Sequence, residues 1–279
     1  MTNYIKKDIR TLSVEDLKVF FESNNIETYR ANQIYEWLWV KGVSDFNLMT
    51  NLSIDFRKFL QKYFTINNIK VESIQKSIDG TIKNAVKLYD NKIVESVLIP
   101  TKNRIPACIS SQVGCSLNCK FCATSKLKRL RNLNVDEIFD QVKFIDNQSK
   151  SFYNRPITNI VYMGMGEPLM NYENVIKSIE KITSKSGLGF SPRRITVSSV
   201  GFPKFIKKMA DQKIKFNLAI SLHSAIQSVR EFLMPFSNKI LIEDLIDSLR
   251  YWINIKKSII TFEYIVFDGI NDSETDIIE

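Results

Sequence analysis

From Val14 to Phe64 the apolar residues recur three and four positions apart, the period of a helix with one buried face. Three segments carry it: VEDLKVFFESN behind Ser13, ANQIYEWLWV over 31–40, and Leu52 to Phe64. Ser13 is placed to cap the first, with Glu15 and Asp16 at the positive end of the helix dipole. Trp37 and Trp39 fall on the pattern as core residues rather than an exposed platform. Residues 1–66 therefore read as a small helical domain. Over 67–104 the period drops to two in IKVESIQ, TIKNAVKLY and KIVESVLI, with Asp79-Gly80 and Asp90-Asn91 as turn signals between them. That predicts a three-stranded antiparallel extension.

From 105 onward strands alternate with helices. Expected strands are Ala107–Ser111, Thr158–Met163, Arg194–Ser198, Lys215–Ser221 and Ile260–Val266. Expected helices are Val135–Asn147, Tyr172–Lys185, Pro203–Asp211 and Ile242–Ile255, with a short one near Ala225–Phe232. Repeated strand–helix units imply a parallel sheet, so the class is α/β. Ligands of such folds sit at the carboxyl ends of the strands.

Composition adds little to this. With 279 residues, 44% hydrophobic and 25% charged, the chain has material for a sizeable core. No run of 18 apolar residues and no signal-peptide pattern occurs, so a cytoplasmic protein without membrane contact is expected. The net charge of +9 points to a polyanionic partner, although richness in Lys, Asn and Ile raises it without any ligand. Lys126, Lys128, Arg129 and Arg131, and the pair Arg193 and Arg194, are the candidate phosphate contacts.

The chemistry concentrates elsewhere. All four cysteines lie between 108 and 122, and Cys115, Cys119 and Cys122 fall within GCSLNCKFC. Such crowding favours a metal over disulfides. Three thiolates fit an iron–sulfur cluster with one open corner; a zinc site recruiting Cys108, or unlinked buried thiols, are the alternatives. Phe121 is placed to cover the metal. After the strand ending at Met163 comes Gly164-Met165-Gly166-Glu167-Pro168, whose glycines admit a ligand close to the backbone and whose Glu167 can hold an ammonium. Ser198 ends the next strand, and Ser221-Leu222-His223 the one after.

The C-x-x-x-C-x-x-C spacing, within ACISSQVGCSLNCKFCATSKLKRLRNL, resembles the RlmN/Cfr family of radical S-adenosylmethionine RNA adenine methyltransferases. TYRANQIYEWLW resembles the accessory domain of its RlmN branch. The resemblance runs from about Arg30 to Asp272. It implies a partial (βα) barrel of six strands, of which this chain supplies five over 105–279. It also implies a 4Fe-4S cluster on Cys115, Cys119 and Cys122, with S-adenosylmethionine chelated at the open iron.

By the same resemblance, the backbone at Gly166 and Glu167 receives the cofactor's amino group. Ser198, Ser221, Leu222 and His223 contact its methionine part or ribose. Glu95 matches the proton acceptor, and Cys108 the thiol that resolves a methyl-bridged intermediate. The implied substrate is carbon 2 of an adenosine in large-subunit rRNA and in tRNA. An electron donor such as flavodoxin and a monomeric protein are expected. The family carries its methyl group on a further cysteine near the C-terminus, and no cysteine follows Cys122. The chain is therefore expected to be a truncated form, inactive as a methyltransferase unless a second chain supplies that thiol. A Cfr-type carbon-8 methyltransferase and a non-catalytic, metal-holding RNA-binding remnant are the competing readings.

Overall fold

The structure, a computed structural model, describes residues 6–212 and 216–279. Its centre is an eight-stranded sheet. The parallel part comprises β6 (Pro106–Cys108), β9 (Asn159–Tyr162), β10 (Ile195–Ser199), β11 (Asn217–Ser221) and β12 (Ile260–Glu263). On the β6 side the antiparallel strands β5 (Ile93–Leu98), β4 (Ile82–Lys87) and β3 (Lys70–Lys76) continue the sheet. The order is linear, β12-β11-β10-β9-β6-β5-β4-β3. All five expected strands form, joined to the extension in one sheet, and the parallel-dominated α/β class holds. The expected start of the fourth strand, at Lys215, lies outside the described residues.

Strand and helix ends differ from expectation in ways the packing explains. The first strand stops at Cys108 because Ile109 to Ser111 bend toward the Met165 loop, where Ser111 and Gln112 donate to the Met165 carbonyl. Helix α4 (Val135–Tyr153) runs past Asn147, its buried Gln148 hydrogen-bonded to Asn84 of β4 and its buried Ser149 to the Arg155 carbonyl, and stops at Asn154 in the left-handed region. Helices α5 (Tyr172–Thr183), α6 (Pro203–Ala210), α7 (Gln227–Leu233) and α8 (Ile242–Lys256) follow the next strands, and a short α9 (Glu274–Ile278) ends the chain.

Residues 6–66 hold α1 (Val14–Glu22), α2 (Arg30–Tyr35) and α3 (Ile54–Tyr63), capped as expected by Ser13, whose hydroxyl accepts from the Asp16 amide. Two details escape the helical pattern. Residues Glu36–Val40 form a π-helical turn, and β1 (Lys7–Asp8) pairs in parallel with β2 (Phe64–Thr65). Trp37 and Trp39 are buried, the latter edge-on to Phe139 of α4 at 5.1 Å. Buried Arg10 fastens this unit to α4, its Nη1 on Asp140 at 2.8 Å and its Nη2 on Asp136 at 3.2 Å.

The two faces of the sheet differ. One is covered by helices: Asn84 exchanges amide hydrogen bonds with Gln148 of α4, and the Tyr162 hydroxyl meets Ser178 of α5 at 2.8 Å. Alternation then turns Lys83, Glu95 and Val97 to the opposite face, and with them Cys108, which is register partner of Val97.

Candidate functional site

At the carboxyl ends of β9, β10, β11 and β12 a cavity of about 240 Å³ opens. Cys115, Cys119 and Cys122 line one side, and Gly166, Glu167, Ser198 and Ser221 the other. Four elements remote in sequence thus deliver the expected residues to one place.

The cysteine loop is held at its neck. Gln112–Val113 (β7) pairs antiparallel with Arg131–Asn132 (β8), a pair the alternation of long strands and helices did not show. Inside the loop the Ser125 hydroxyl donates to the carbonyls of Cys119 at 2.6 Å and Cys122 at 2.7 Å. The Lys120 amide donates to the Leu233 carbonyl of α7 at 2.9 Å. Arg131 is a clamp rather than a phosphate contact: its guanidinium grips both oxygens of Asp90 and both of Glu137, at 2.7–2.9 Å. Lys126, Lys128 and Arg129 remain exposed beside the loop. Arg193 and Arg194 precede β10, at the end of the sheet away from the cavity.

Burial pushes the Cys119 thiol up to about 12 and raises that of Cys115, with each of these two feeling the charge of Cys122. Among the described residues no three His, Cys, Asp or Glu side chains stand as a ready-made metal-ligating group. The donor set nevertheless suits iron better than a carboxylate-seeking ion, since three soft thiols face one cavity and metal binding deprotonates such groups outright. Cys108 is not among them. It sits in β6 between Val97 and Val161, and burial pushes its thiol up to about 11. A four-cysteine zinc site therefore loses its fourth ligand.

The loop after β9 owes its path to its glycines. A Cβ at Gly164 would stand 2.7 Å from the Ile109 carbonyl oxygen, and one at Gly166 (φ +95°) would stand 2.4 Å from Gln112 Cβ. The Glu167 carboxylate, expected to hold an ammonium, is engaged by the protein. One oxygen accepts from the Leu169 amide at 2.9 Å and the other from Val200 at 3.1 Å. Burial pushes it up to about 7.

Glu263, at the end of β12, was missed by sequence reasoning. Its Oε2 accepts from Ser198 Oγ at 2.6 Å and from Ser221 Oγ at 3.0 Å, and the residue lines the cavity. Its place was not legible in the sequence, because the strand expected to run on to Val266 ends at Glu263.

Leu222 and His223 are not cavity-lining residues. Their amides donate to the Glu263 carbonyl at 3.0 and 3.2 Å, and His223 turns the chain at φ 57°. Its Nδ1 accepts from the Ile265 amide at 3.2 Å, and its ring meets Phe121 of the cysteine loop edge-on at 4.6 Å. Burial depresses its imidazole to about 4, so it stays neutral at physiological pH. Glu95 also lies outside the cavity, half-exposed and paired with Lys83 at 3.1 Å. Its backbone is tied to the glycine loop: Ser110 Oγ donates to the Glu95 carbonyl and accepts from the Met165 amide.

Comparison with known proteins gives the same picture along the chain. Residues 109–279 match the radical SAM superfamily, and residues 7–66 match the ribosomal RNA large subunit methyltransferase N-terminal domain. A probable dual-specificity RNA methyltransferase RlmN of Flavobacterium psychrophilum is 57% identical over 98% of this chain and 78% of its own length. The dual-specificity RNA methyltransferase RlmN of Geotalea uraniireducens is 38% identical over 97% of this chain and 77% of its own. The crystal structure of a radical SAM methyltransferase from Sphaerobacter thermophilus superposes with a TM-score of 0.89 at 32% identity, covering 97% of this chain and 79% of that one. Among the described residues no helix is long and apolar enough to cross a membrane.

Proposed function

This chain belongs to the RlmN family of radical SAM methyltransferases, and from that premise we propose that it acts on carbon 2 of adenosine in large-subunit rRNA and tRNA. The observation that supports this best is the meeting of three thiols with the glycine loop and two strand-end serines in one cavity. Cys115, Cys119 and Cys122 would hold a 4Fe-4S cluster. Such a cluster supplies the electron that cleaves S-adenosylmethionine reductively.

The protein's own share is positioning and exclusion. Gly164 and Gly166 bring the backbone of their loop close to the space beside the thiols, where it is placed to receive an amino group. Glu167 locks that loop to the start of the β10–α6 connection through the Val200 amide. Ser198, Ser221 and Glu263 present a polar wall suited to hydroxyl groups of the cofactor. His223 positions Phe121 over the thiols rather than moving protons. Glu95 is the candidate acceptor of the adenine ring proton and Cys108 the candidate resolving thiol. Both belong to the face of the sheet away from the helices. Residues 1–66 serve as the accessory RNA-binding unit, and the exposed Lys126, Lys128 and Arg129 contact phosphate. A one-electron donor of the flavodoxin type acts on a monomeric protein.

No cysteine follows Cys122, so the family's methyl-carrying thiol has no counterpart within these residues. Reductive cleavage and methyl transfer are accordingly assayed separately. Reconstituted protein with dithionite and S-adenosylmethionine is expected to release 5′-deoxyadenosine; none released by fully loaded protein contradicts the proposal. These residues alone are expected to leave rRNA and tRNA unmethylated; with a second chain that supplies the missing thiol, mass spectrometry of the nucleosides reads the position, with 2-methyladenosine expected and 8-methyladenosine pointing to the carbon-8 reaction.

A further inference from the structure

Arg230 of α7 is fully buried, and its guanidinium is under-satisfied. Nη2 donates to the Val200 carbonyl at 2.6 Å, while Nε and Nη1 have no hydrogen-bond partner among the described residues. A guanidinium stays charged in a protein, and a buried charge without an anion or full hydrogen bonding is among the costliest arrangements a fold can hold. Arg10, comparably buried, shows the ordinary solution: it lies among Asp8, Asp136 and Asp140. No carboxylate forms an ion pair with Arg230 among the described residues. Burial pulls its guanidinium down to about 10, still charged at neutral pH, and the Cys119 thiol acts on it in the opposite direction.

The surroundings keep Arg230 behind the cysteine loop. The Met234 amide donates to the Arg230 carbonyl at 2.8 Å, and the neighbouring Leu233 carbonyl receives the amide of Lys120, the residue after Cys119. Val200, which takes the one satisfied guanidinium nitrogen, lines the cavity and donates its own amide to Glu167. Arg230 is thus fixed to both walls of the site while contributing no atom to its lining.

We propose that Arg230 is the counter-charge of the cysteine loop, balancing the thiolates of a bound iron–sulfur cluster from behind Cys119 and easing that cluster's one-electron reduction. This rests on the cluster reading given above. Three thiols that become thiolates place negative charge where the fold has left a cation unpaired, and one added electron makes the site more negative by one unit. A fixed positive charge beside it stabilises the reduced form relative to the oxidised one. Arg230 is in this sense a positioning and electrostatic residue, not a catalytic one.

The test compares wild type, Arg230→Met and Arg230→Lys after anaerobic reconstitution. Iron and sulfide content, the cluster's midpoint potential by titration followed with electron paramagnetic resonance, and melting temperatures of apo and loaded protein are read. Arg230→Met is expected to lower the potential, each tenfold loss in the reduction equilibrium being about 59 mV for one electron. Arg230→Lys is expected to recover part of the shift. Removing an unpaired cation should leave the apo protein's melting temperature unchanged or higher, while lowering that of the loaded protein. An unchanged potential in fully loaded Arg230→Met, or an apo protein that melts lower or fails to fold, overturns the inference. Wild type that binds no iron instead overturns the cluster reading itself.

Discussion

Ser198 Oγ donates to Glu263 Oε2 at 2.6 Å, although the two residues sit on strands separated by β11. Ser221 on that middle strand donates to the same oxygen at 3.0 Å. One carboxylate therefore orients two hydroxyls at the mouth of three parallel strands. Glu263→Gln, which removes the charge and turns one oxygen into a donor, is expected to weaken S-adenosylmethionine binding by about 10-fold or more, the scale of a charged hydrogen bond. Ser198→Ala should cost less. Calorimetric titration of the loaded protein measures both, and an unchanged dissociation constant for Glu263→Gln would remove it from the cofactor wall.

Gly166 adopts φ +95° with Gln112 Cβ only 2.4 Å from where its own Cβ would stand. Gly166→Ala meets both a strained backbone and a collision with a buried neighbour, at a cost of order 1–3 kcal/mol. A fall of several degrees in melting temperature is expected, with cofactor binding lost in the fraction that stays folded. A variant with native stability would show that the loop is not fixed by this approach.

Asp90, Arg131 and Glu137 lock the neck of the cysteine loop to the β4–β5 turn and to α4. The guanidinium of Arg131 holds the Asp90 carboxyl well below the usual carboxylate range. Its folded value lies under its unfolded one, so the stabilisation is fully present above about pH 4 and is lost as pH falls below it. Urea midpoints measured from pH 6 down to pH 3 should fall, and Asp90→Asn should fall less steeply than wild type. Identical slopes would contradict the clamp.

Much of the architecture was legible because hydrophobic period reports burial directly. The five parallel strands, the antiparallel extension and Ser13 as a cap all follow from local pattern. The convergence of Cys115, Cys119 and Cys122 with Ser198 and Ser221 was legible through the rule that ligands sit at strand carboxyl ends. Long-range partnering was not. Nothing local says that Glu167 is consumed by the Leu169 and Val200 amides, that Arg131 is an internal clamp, or that Glu263 faces two serines. Arg193 and Arg194 misled for the same reason: a charge in sequence carries no statement about which end of a sheet it occupies.

Lys126, Lys128 and Arg129 stay exposed beside the cysteine loop. Replacing all three by Ala is expected to weaken tRNA binding and to flatten its dependence on log salt by about two to three units. Arg193→Ala with Arg194→Ala should change neither. Filter binding across a salt series reads this, and equal slopes for the loop triple and wild type would place the RNA elsewhere.

In the proposed site the three loop thiols, without Cys108, hold the iron–sulfur cluster. Iron and acid-labile sulfide in anaerobically reconstituted single-cysteine variants test it most directly. Cys115→Ala, Cys119→Ala and Cys122→Ala should each lose most of the cluster, while Cys108→Ala keeps the wild-type content. Zinc in place of iron, or equal loss in the Cys108→Ala protein, would contradict the account.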